Sequence, residues 1–199
     1  ELTLSCATKD LHSGMYGGPA RNPIRVLARI IADLHDDTGR IQVPDFYDGV
    51  PELDEAVARQ WKGLGFDEGA FLGDVGLSIP AGEAGRSVLE QIWSRPTCDV
   101  NGIIGGYTGE GTKTVIASKA SAKVSFRLVG TQDPFVIRES FRGFVRDRIP
   151  ADCSVEFIGH EASPALAVDT SRPEIARCAG ALAAEFGRPA VMMGCGGSI

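Results

Sequence analysis

The stretch 9–18, KDLHSGMYGG, combines the residue types of a ligand-binding turn. It contains His12, one of three histidines in the chain, with an acid two residues before it and a hydroxyl directly after it. Its glycines, at positions 14, 17 and 18, allow positive φ and a close approach of the backbone to a ligand. The chemistry available is hydrogen bonding by an exposed imidazole. A connecting loop whose glycines serve only its own geometry explains this stretch equally well.

Three further positions carry groups that could bind an anion together with His12. Thr114 ends the glycine-rich loop 106–114, Arg127 lies on the polar face of a predicted strand, and Ser198 belongs to the final GGSI turn. Arginine pairs with a carboxylate through two parallel hydrogen bonds. The set therefore indicates a site for a carboxylate-bearing ligand. For Arg127, an ion pair with a surface acid is the alternative.

The loop 106–114, GYTGEGTKT, does not have the pattern of a nucleotide-binding phosphate loop. That pattern needs Gly-Lys-Ser/Thr in direct sequence, whereas Thr112 separates Gly111 from Lys113 here. A strand rather than a helix is also predicted to follow the loop. The sequence therefore predicts no nucleotide site.

The three histidines do not form a recognisable metal site. His12, His35 and His160 lack the i, i+4 spacing or the paired carboxylates that mark ligands. His35 is interpreted as a residue near the end of a helix, where a cation complements the dipole, and His160 as a surface residue. No Ser-His-Asp signature is present either. We predict that this chain binds no metal.

Composition predicts a globular protein rather than a disordered or membrane protein, with 43% apolar and 23% charged residues. The net charge of −6 argues against nucleic acid as a partner, and no apolar run is long enough to span a membrane.

Five scattered cysteines predict free thiols and a cytoplasmic location. The missing initial Met and signal peptide, and the end directly after a glycine-rich turn, predict a segment of a longer protein.

The elements that must position these residues follow from hydrophobic periodicity. Strand patterns cover 2–8 and 98–106, and a helix from Asn22-Pro23 to about residue 39 lies between them. An insertion over about 40–96 contains three predicted helices, which begin near residues 51, 67 and 86.

The second half of the sequence repeats this order of strand, helix and strand. Residues 119–129 alternate strictly between apolar and polar, a helix begins at Asp133-Pro134, and a last strand contains Cys153, Val155 and Phe157. The order is β-α-β-β-α-β, which predicts an α+β fold of the split, ferredoxin-like type. Its form is a four-stranded antiparallel sheet with helices on one face and a helical insertion.

The remaining residues are predicted to belong to a second, truncated α/β unit. A linker over 163–168 precedes an amphipathic helix over 175–186, and a short strand leads into GCGGSI. The predicted boundary therefore divides the chain into 1–162 and 163–199.

Several runs resemble one family. DLHSGMYGG, RPTCDVNGI, GEGTKTVIASKASAKVSFRLV and GGSI are similar to motifs of the di-zinc metallopeptidases, which include carnosine dipeptidase, aminoacylase and succinyl-diaminopimelate desuccinylase. The resemblance is to the carnosine-dipeptidase branch and extends over the whole chain. It implies that 1–162 is a lid and dimerisation domain and that 163–199 is a fragment of the zinc catalytic domain.

The resemblance also implies roles for the four candidate residues. His12 matches a lid histidine that contacts the oxyanion in the partner subunit's active site, and Thr114 matches a lid residue that also serves that subunit. Arg127 matches the arginine that binds the substrate's terminal carboxylate. Ser198 matches a serine that contacts the same end of a dipeptide or N-acyl amino acid substrate.

Two departures from the family limit these implications. The ligands of the two zinc ions and the general base lie outside this segment, so we expect it to be inactive alone and to bind no zinc. Gly194 and Cys195 replace an Arg-Glu pair that relatives usually carry. A non-catalytic split βαβ module that dimerises or binds a small ligand is the alternative function.

Overall fold

A four-stranded sheet organises the chain, and the computed structural model describes residues 1–197. The strands of this part are β1 (Leu2–Ser5), β2 (Leu11–His12), β3 (Thr97–Gly105), β4 (Val115–Ile116), β5 (Lys119–Arg127) and β6 (Ser154–Phe157). Its helices are α1 (Ser13–Tyr16), α2 (Pro23–Ala32), α3 (Glu55–Lys62), α4 (Glu68–Gly73), α5 (Val88–Trp93), α6 (Pro134–Arg146) and α7 (Pro173–Phe186).

The main sheet has the strand order β3-β5-β1-β6, and every neighbouring pair is antiparallel. Leu2 lies opposite both Ala122 on β5 and Phe157 on β6. Alternation sends one set of side chains towards α2 and α6, where the core contains Leu2, Leu4, Leu27, Ile30, Ala120, Ala122, Phe141 and Val145. The predicted α+β fold with a four-stranded antiparallel sheet is confirmed.

Side-chain caps fix where the helices begin. Asn22 Oδ1 accepts the N–H of Ile24 at 2.9 Å, and Asp133 Oδ1 accepts the N–H of Phe135 at 2.7 Å. Helix α2 ends at Ala32 rather than near residue 39. His35 therefore lies beyond this helix, exposed, in a single bridge with Ile41, so its interpretation as a helix-terminal residue is wrong.

The insertion forms its three predicted helices, and each of them buries at least one apolar side chain. Trp61, Leu72, Val88 and Leu89 are buried in it. Helix α3 begins at Glu55 rather than at residue 51, because Asp54 supplies the N-terminal cap. A buried ion pair between Arg95 and Glu83 joins the end of the insertion to the loop between α4 and α5.

The expectation of five free thiols is wrong, because Cys6 and Cys153 form a disulfide. Ser5 on β1 lies opposite Ser154 on β6, and continuing this antiparallel register by one residue brings the two cysteines face to face. Their separation of 147 residues hides this pairing in the sequence. The cytoplasmic location inferred from free thiols loses that support. Among the helices described, none is long and apolar enough to cross a membrane.

The C-terminal residues only partly follow the prediction. Helix α7 forms, carries no buried residue, and ends at Gly187 in the left-handed conformation, with φ of 68°. The short strand predicted after it is absent from residues 187–197. A strand needs a partner strand for its backbone groups, and within the described chain this segment contacts helices of the insertion instead.

Candidate functional site

A small second sheet joins the histidine turn to the glycine-rich loop. Strand β2 pairs with β4, with Leu11 opposite Ile116 and His12 opposite Val115. The N–H of Ser13 donates to the main-chain oxygen of Thr114 at 3.1 Å. Two stretches about a hundred residues apart are thereby held side by side. Neither two-residue strand could be recognised by periodicity, because period-two alternation needs at least four residues.

The turn also fixes the state of the imidazole. The N–H of Gly14 donates to His12 Nδ1 at 3.0 Å. Since Nδ1 accepts, the neutral ring carries its proton on Nε2. That Nε2 lies 3.4 Å from Thr114 Oγ1, and both residues are exposed. His12 and Thr114 thus present a donor N–H and a hydroxyl at one place on the surface.

Gly14 leaves room for this arrangement. A Cβ at this position would stand 3.0 Å from His12 Cε1 and 3.2 Å from Nδ1, closer than most side-chain contacts, so the ring would have to shift. The glycine therefore lets the imidazole fold back over the backbone N–H that it binds. The contact gives a structural reason for one of the three glycines in the stretch 9–18.

Asp10 holds the base of the turn. Its Oδ1 accepts the N–H of Ser118 at 2.8 Å and the hydroxyl of Ser118 at 2.9 Å. These two hydrogen bonds, the backbone one first, lower the pKa of the Asp10 carboxyl. Sequence reasoning noted an acid two residues before His12 but gave it no role. Its partner, 108 residues away, became apparent only with the fold.

Arg127 stands at the far end of β5, exposed and opposite Thr97 on β3. It belongs to the polar face predicted from alternation, together with Lys123 and Ser125. Within residues 1–197 it makes no ion pair with a carboxylate. The alternative of pairing with a surface acid therefore has no support in the described part of the chain.

The structure does not bring Arg127 to the His12–Thr114 pair. Ser118, which is bonded to Asp10, precedes the first residue of β5, and Arg127 is its last residue. The eight steps from Lys119 to Arg127 span about 27 Å at the usual rise of a strand. The two groups therefore lie at opposite ends of the sheet. Ser198, the fourth predicted residue, lies outside the described residues.

The described residues do not fit a zinc site. Across residues 1–197, no three His, Cys, Asp or Glu side chains are grouped so that they could hold a metal ion. A structural or catalytic zinc ion needs at least three protein ligands. No metal-dependent step is therefore assigned to these residues.

The comparisons with known proteins agree on one family. Residues 1–153 match the model of the M20 peptidase dimerisation domain. A Beta-Ala-His dipeptidase of Mus musculus is 29% identical over 138 residues, which is 69% of this chain and 28% of that protein. The Cys-Gly metallodipeptidase dug1 of Schizosaccharomyces pombe is 32% identical over 128 residues, 64% of this chain and 27% of that protein. The chain thus spans little more than a quarter of the length of these relatives.

A solved structure agrees over the whole length. The M20 family metallo-carboxypeptidase Sso-CP2 from Sulfolobus solfataricus superposes with a TM-score of 0.80 and 28% identity, covering 100% of this chain and 52% of that one. The sequence motifs, the split βαβ sheet and the family match all agree. This chain belongs to the M20 peptidase dimerisation domain family.

Proposed function

We propose that this chain is the lid and dimerisation part of a metallodipeptidase in which each active site takes residues from both subunits. His12 and Thr114 serve the site of the partner, while Arg127 serves a site at the other end of the sheet. The observation that carries the proposal is the length of β5, about 27 Å, because the histidine turn is bonded to Ser118 just before this strand and Arg127 is its last residue. One chain cannot apply both groups to one dipeptide, whereas a dimer can.

The chemistry of each group suits its role. The Nε2–H of His12 is a fixed donor that can stabilise an oxyanion as it develops on the scissile carbonyl. Such a donor contributes on the order of 3 kcal/mol to transition-state stabilisation. The hydroxyl of Thr114, 3.4 Å from Nε2, can donate to the same oxygen or hold the ring.

Arg127 fits the carboxylate end of the substrate. Its guanidinium is exposed and has no acidic partner in residues 1–197, so its donors are available to a ligand. The substrate class that we propose is a dipeptide or an N-acyl amino acid, since both end in a free carboxylate. On this proposal the activated water would come from two zinc ions held by residues other than 1–197.

The test is a pair of complementary variants in the full-length enzyme. His12→Ala and Arg127→Met subunits, each with its own affinity tag, are co-expressed, and hybrid dimers are isolated with both tags. Each parental homodimer is expected to lose most of its activity. In the hybrid, one site receives both intact residues and the other receives neither, so about half of the wild-type activity returns.

The controls use matched residues outside the site. His35 and Arg25 are exposed, and hybrids of His35→Ala with Arg25→Met are expected to retain full activity. A hybrid of the site variants that is as inactive as its parents contradicts shared sites, because two residues acting within one subunit leave a defect in every site. A wild-type protein without any dipeptide hydrolysis contradicts the enzymatic function itself.

A further inference from the structure

An Asn-Gly pair interrupts β3, the longer of the two edge strands of the main sheet. Asn101 and Gly102 lie in the middle of this strand, although the same dipeptide ordinarily forms a tight turn. Val100 lies opposite Val124 on β5. Gly102 lies opposite Lys123, the adjacent residue of that strand. Asn101 therefore has no residue opposite it on β5 and forms a β-bulge, where the ladder of hydrogen bonds is disrupted.

The bulge is accessible. Within residues 1–197, the strand order leaves β3 with a neighbouring strand on one side only. Asn101 is exposed and Gly102 is half-buried. Among the described residues, a Cβ added at Gly102 would meet only Cδ of Lys123, at 3.9 Å, and the φ of this glycine is not positive. Neither space nor backbone conformation therefore requires a glycine here.

The pair has the chemistry for an internal cyclisation. The main-chain nitrogen of Gly102 can attack Cγ of the Asn101 carboxamide, because no side chain on the glycine hinders the approach. The new C–N bond closes a cyclic imide, the glycine nitrogen gives up its proton, and the carboxamide nitrogen leaves as ammonia. Water then opens either C–N bond of the imide, which yields aspartate or isoaspartate. In sum, water is consumed and ammonia is released, with no change in oxidation state.

We propose that Asn101 is a modification site, at which the chain converts an amide into a carboxylate with water as the only co-reactant. The bulge supplies the backbone freedom for ring closure, because its residues are not held in a regular ladder. Each conversion places a negative charge on an edge strand, and charges on an edge oppose its pairing with another strand. The inference is independent of the proposed function, since neither Asn101 nor Gly102 belongs to the candidate site.

The chain contains a matched asparagine for comparison. Asn22 is the only other asparagine in the sequence, and Pro23 follows it. A proline nitrogen has no proton to give up, so it cannot form the neutral imide. The side chain of Asn22 is also engaged, because its Oδ1 accepts the N–H of Ile24 at 2.9 Å. Asn22 should therefore remain an amide under conditions that convert Asn101.

The experiment follows both asparagines by peptide mass spectrometry while the full-length protein is incubated at neutral and at mildly alkaline pH. The peptide with Asn101 is expected to gain the mass difference between a carboxylic acid and an amide, faster at the higher pH because the attacking nitrogen must lose its proton. Gly102→Ala, which the open space tolerates, is expected to remove most of this conversion. Asn101→Gln is the second variant, and its longer side chain is expected to abolish the conversion.

The free synthetic peptide around Asn101 serves as the positive control for the conditions. Conversion of the free peptide but not of the folded protein would overturn the proposal. Equal rates in wild type and Gly102→Ala would also overturn it, because direct hydrolysis of the carboxamide does not involve the glycine. Equal conversion of Asn22 and Asn101 has the same meaning. Isoaspartate beside aspartate in the product supports the proposal, since only the cyclic imide yields both.

Discussion

The imidazole of His12 is set as a donor by contacts within its own turn and by one contact across the fold. Gly14 fixes Nδ1 as the acceptor, and Thr114 lies beside Nε2. Asp10 then ties the turn to Ser118 with two hydrogen bonds. An exposed side chain loses rotamer freedom when it is ordered, at a cost of up to about 2 kcal/mol. Here the hydrogen bonds of the turn order the ring within the folded chain, so its donor is preorganised.

The cysteines permit a prediction that tests the corrected pairing. Burial first, and then the charge of Asp99, raise the pKa of the Cys98 thiol to about 12, whereas Cys178 and Cys195 are exposed. Iodoacetamide at about pH 8, where an exposed thiol is partly ionised, should therefore label Cys178 and Cys195 but not Cys98. Mass spectrometry of the unreduced native protein checks this.

The same measurement tests the disulfide. Unfolding without reductant should expose Cys98 alone as a new labelled thiol, and Cys6 and Cys153 should label only after reduction. In Cys6→Ser, by contrast, Cys153 should label without reduction. Labelling of Cys6 in the unreduced wild-type protein is the result that this pairing does not allow.

At the scale of elements, the sequence predicted what depends on local pattern. The strict alternation of 119–129 located β5 and the polar face of Arg127, and the helix-capping Asn22 and Asp133 located α2 and α6. The pairing of β2 with β4 could not be predicted, because each strand is two residues long and its partner is far away in the chain. The separation of Arg127 from His12 was also hidden, since it follows from the order of strands and not from any spacing.

The free edge of β3 is the element that we expect to form the dimer. It is a nine-residue strand at one side of the sheet, and Ile103 and Ile104 on it are 58% and 68% exposed. The opposite edge, β6, is only four residues long and exposes Ser154 and Glu156. A long apolar edge attracts another strand unless it is covered, and an isologous dimer covers two such edges at once.

Ile103→Lys tests this surface. A lysine on the edge leaves its ammonium to be desolvated on pairing, so we expect the dimer dissociation constant to rise by at least about tenfold. Sedimentation over a concentration series measures it. Ile79→Lys is the control, because Ile79 is an apolar residue of the insertion that is 76% exposed and not part of β3. Equal dissociation constants for Ile103→Lys and the control would place the interface elsewhere.

At the scale of the molecule, the candidate functional groups within residues 1–197 lie on the surface. The His12–Thr114 pair, Arg127, and Ile103 and Ile104 on the β3 edge are all exposed. The insertion adds a further connection, because Gln60 and Trp61 join it to residues 189–197 across about 130 positions of the sequence. Periodicity predicted the helices of this insertion but not these contacts, since hydrogen bonds to a main chain leave no pattern in either segment.

The proposed role as one part of a larger enzyme predicts how residues 1–199 behave as an isolated chain. No group of three His, Cys, Asp or Glu side chains that could hold a metal ion occurs in the described range, so we expect no stoichiometric zinc and no dipeptide hydrolysis with zinc added. Zinc content after dialysis and a hydrolysis assay, each run beside the full-length enzyme, measure the two properties. Added zinc should leave the melting temperature unchanged, because a ligand stabilises only the state that binds it. Clear turnover, or one equivalent of tightly held zinc, would show that this part of the chain carries more of the chemistry than its residues indicate.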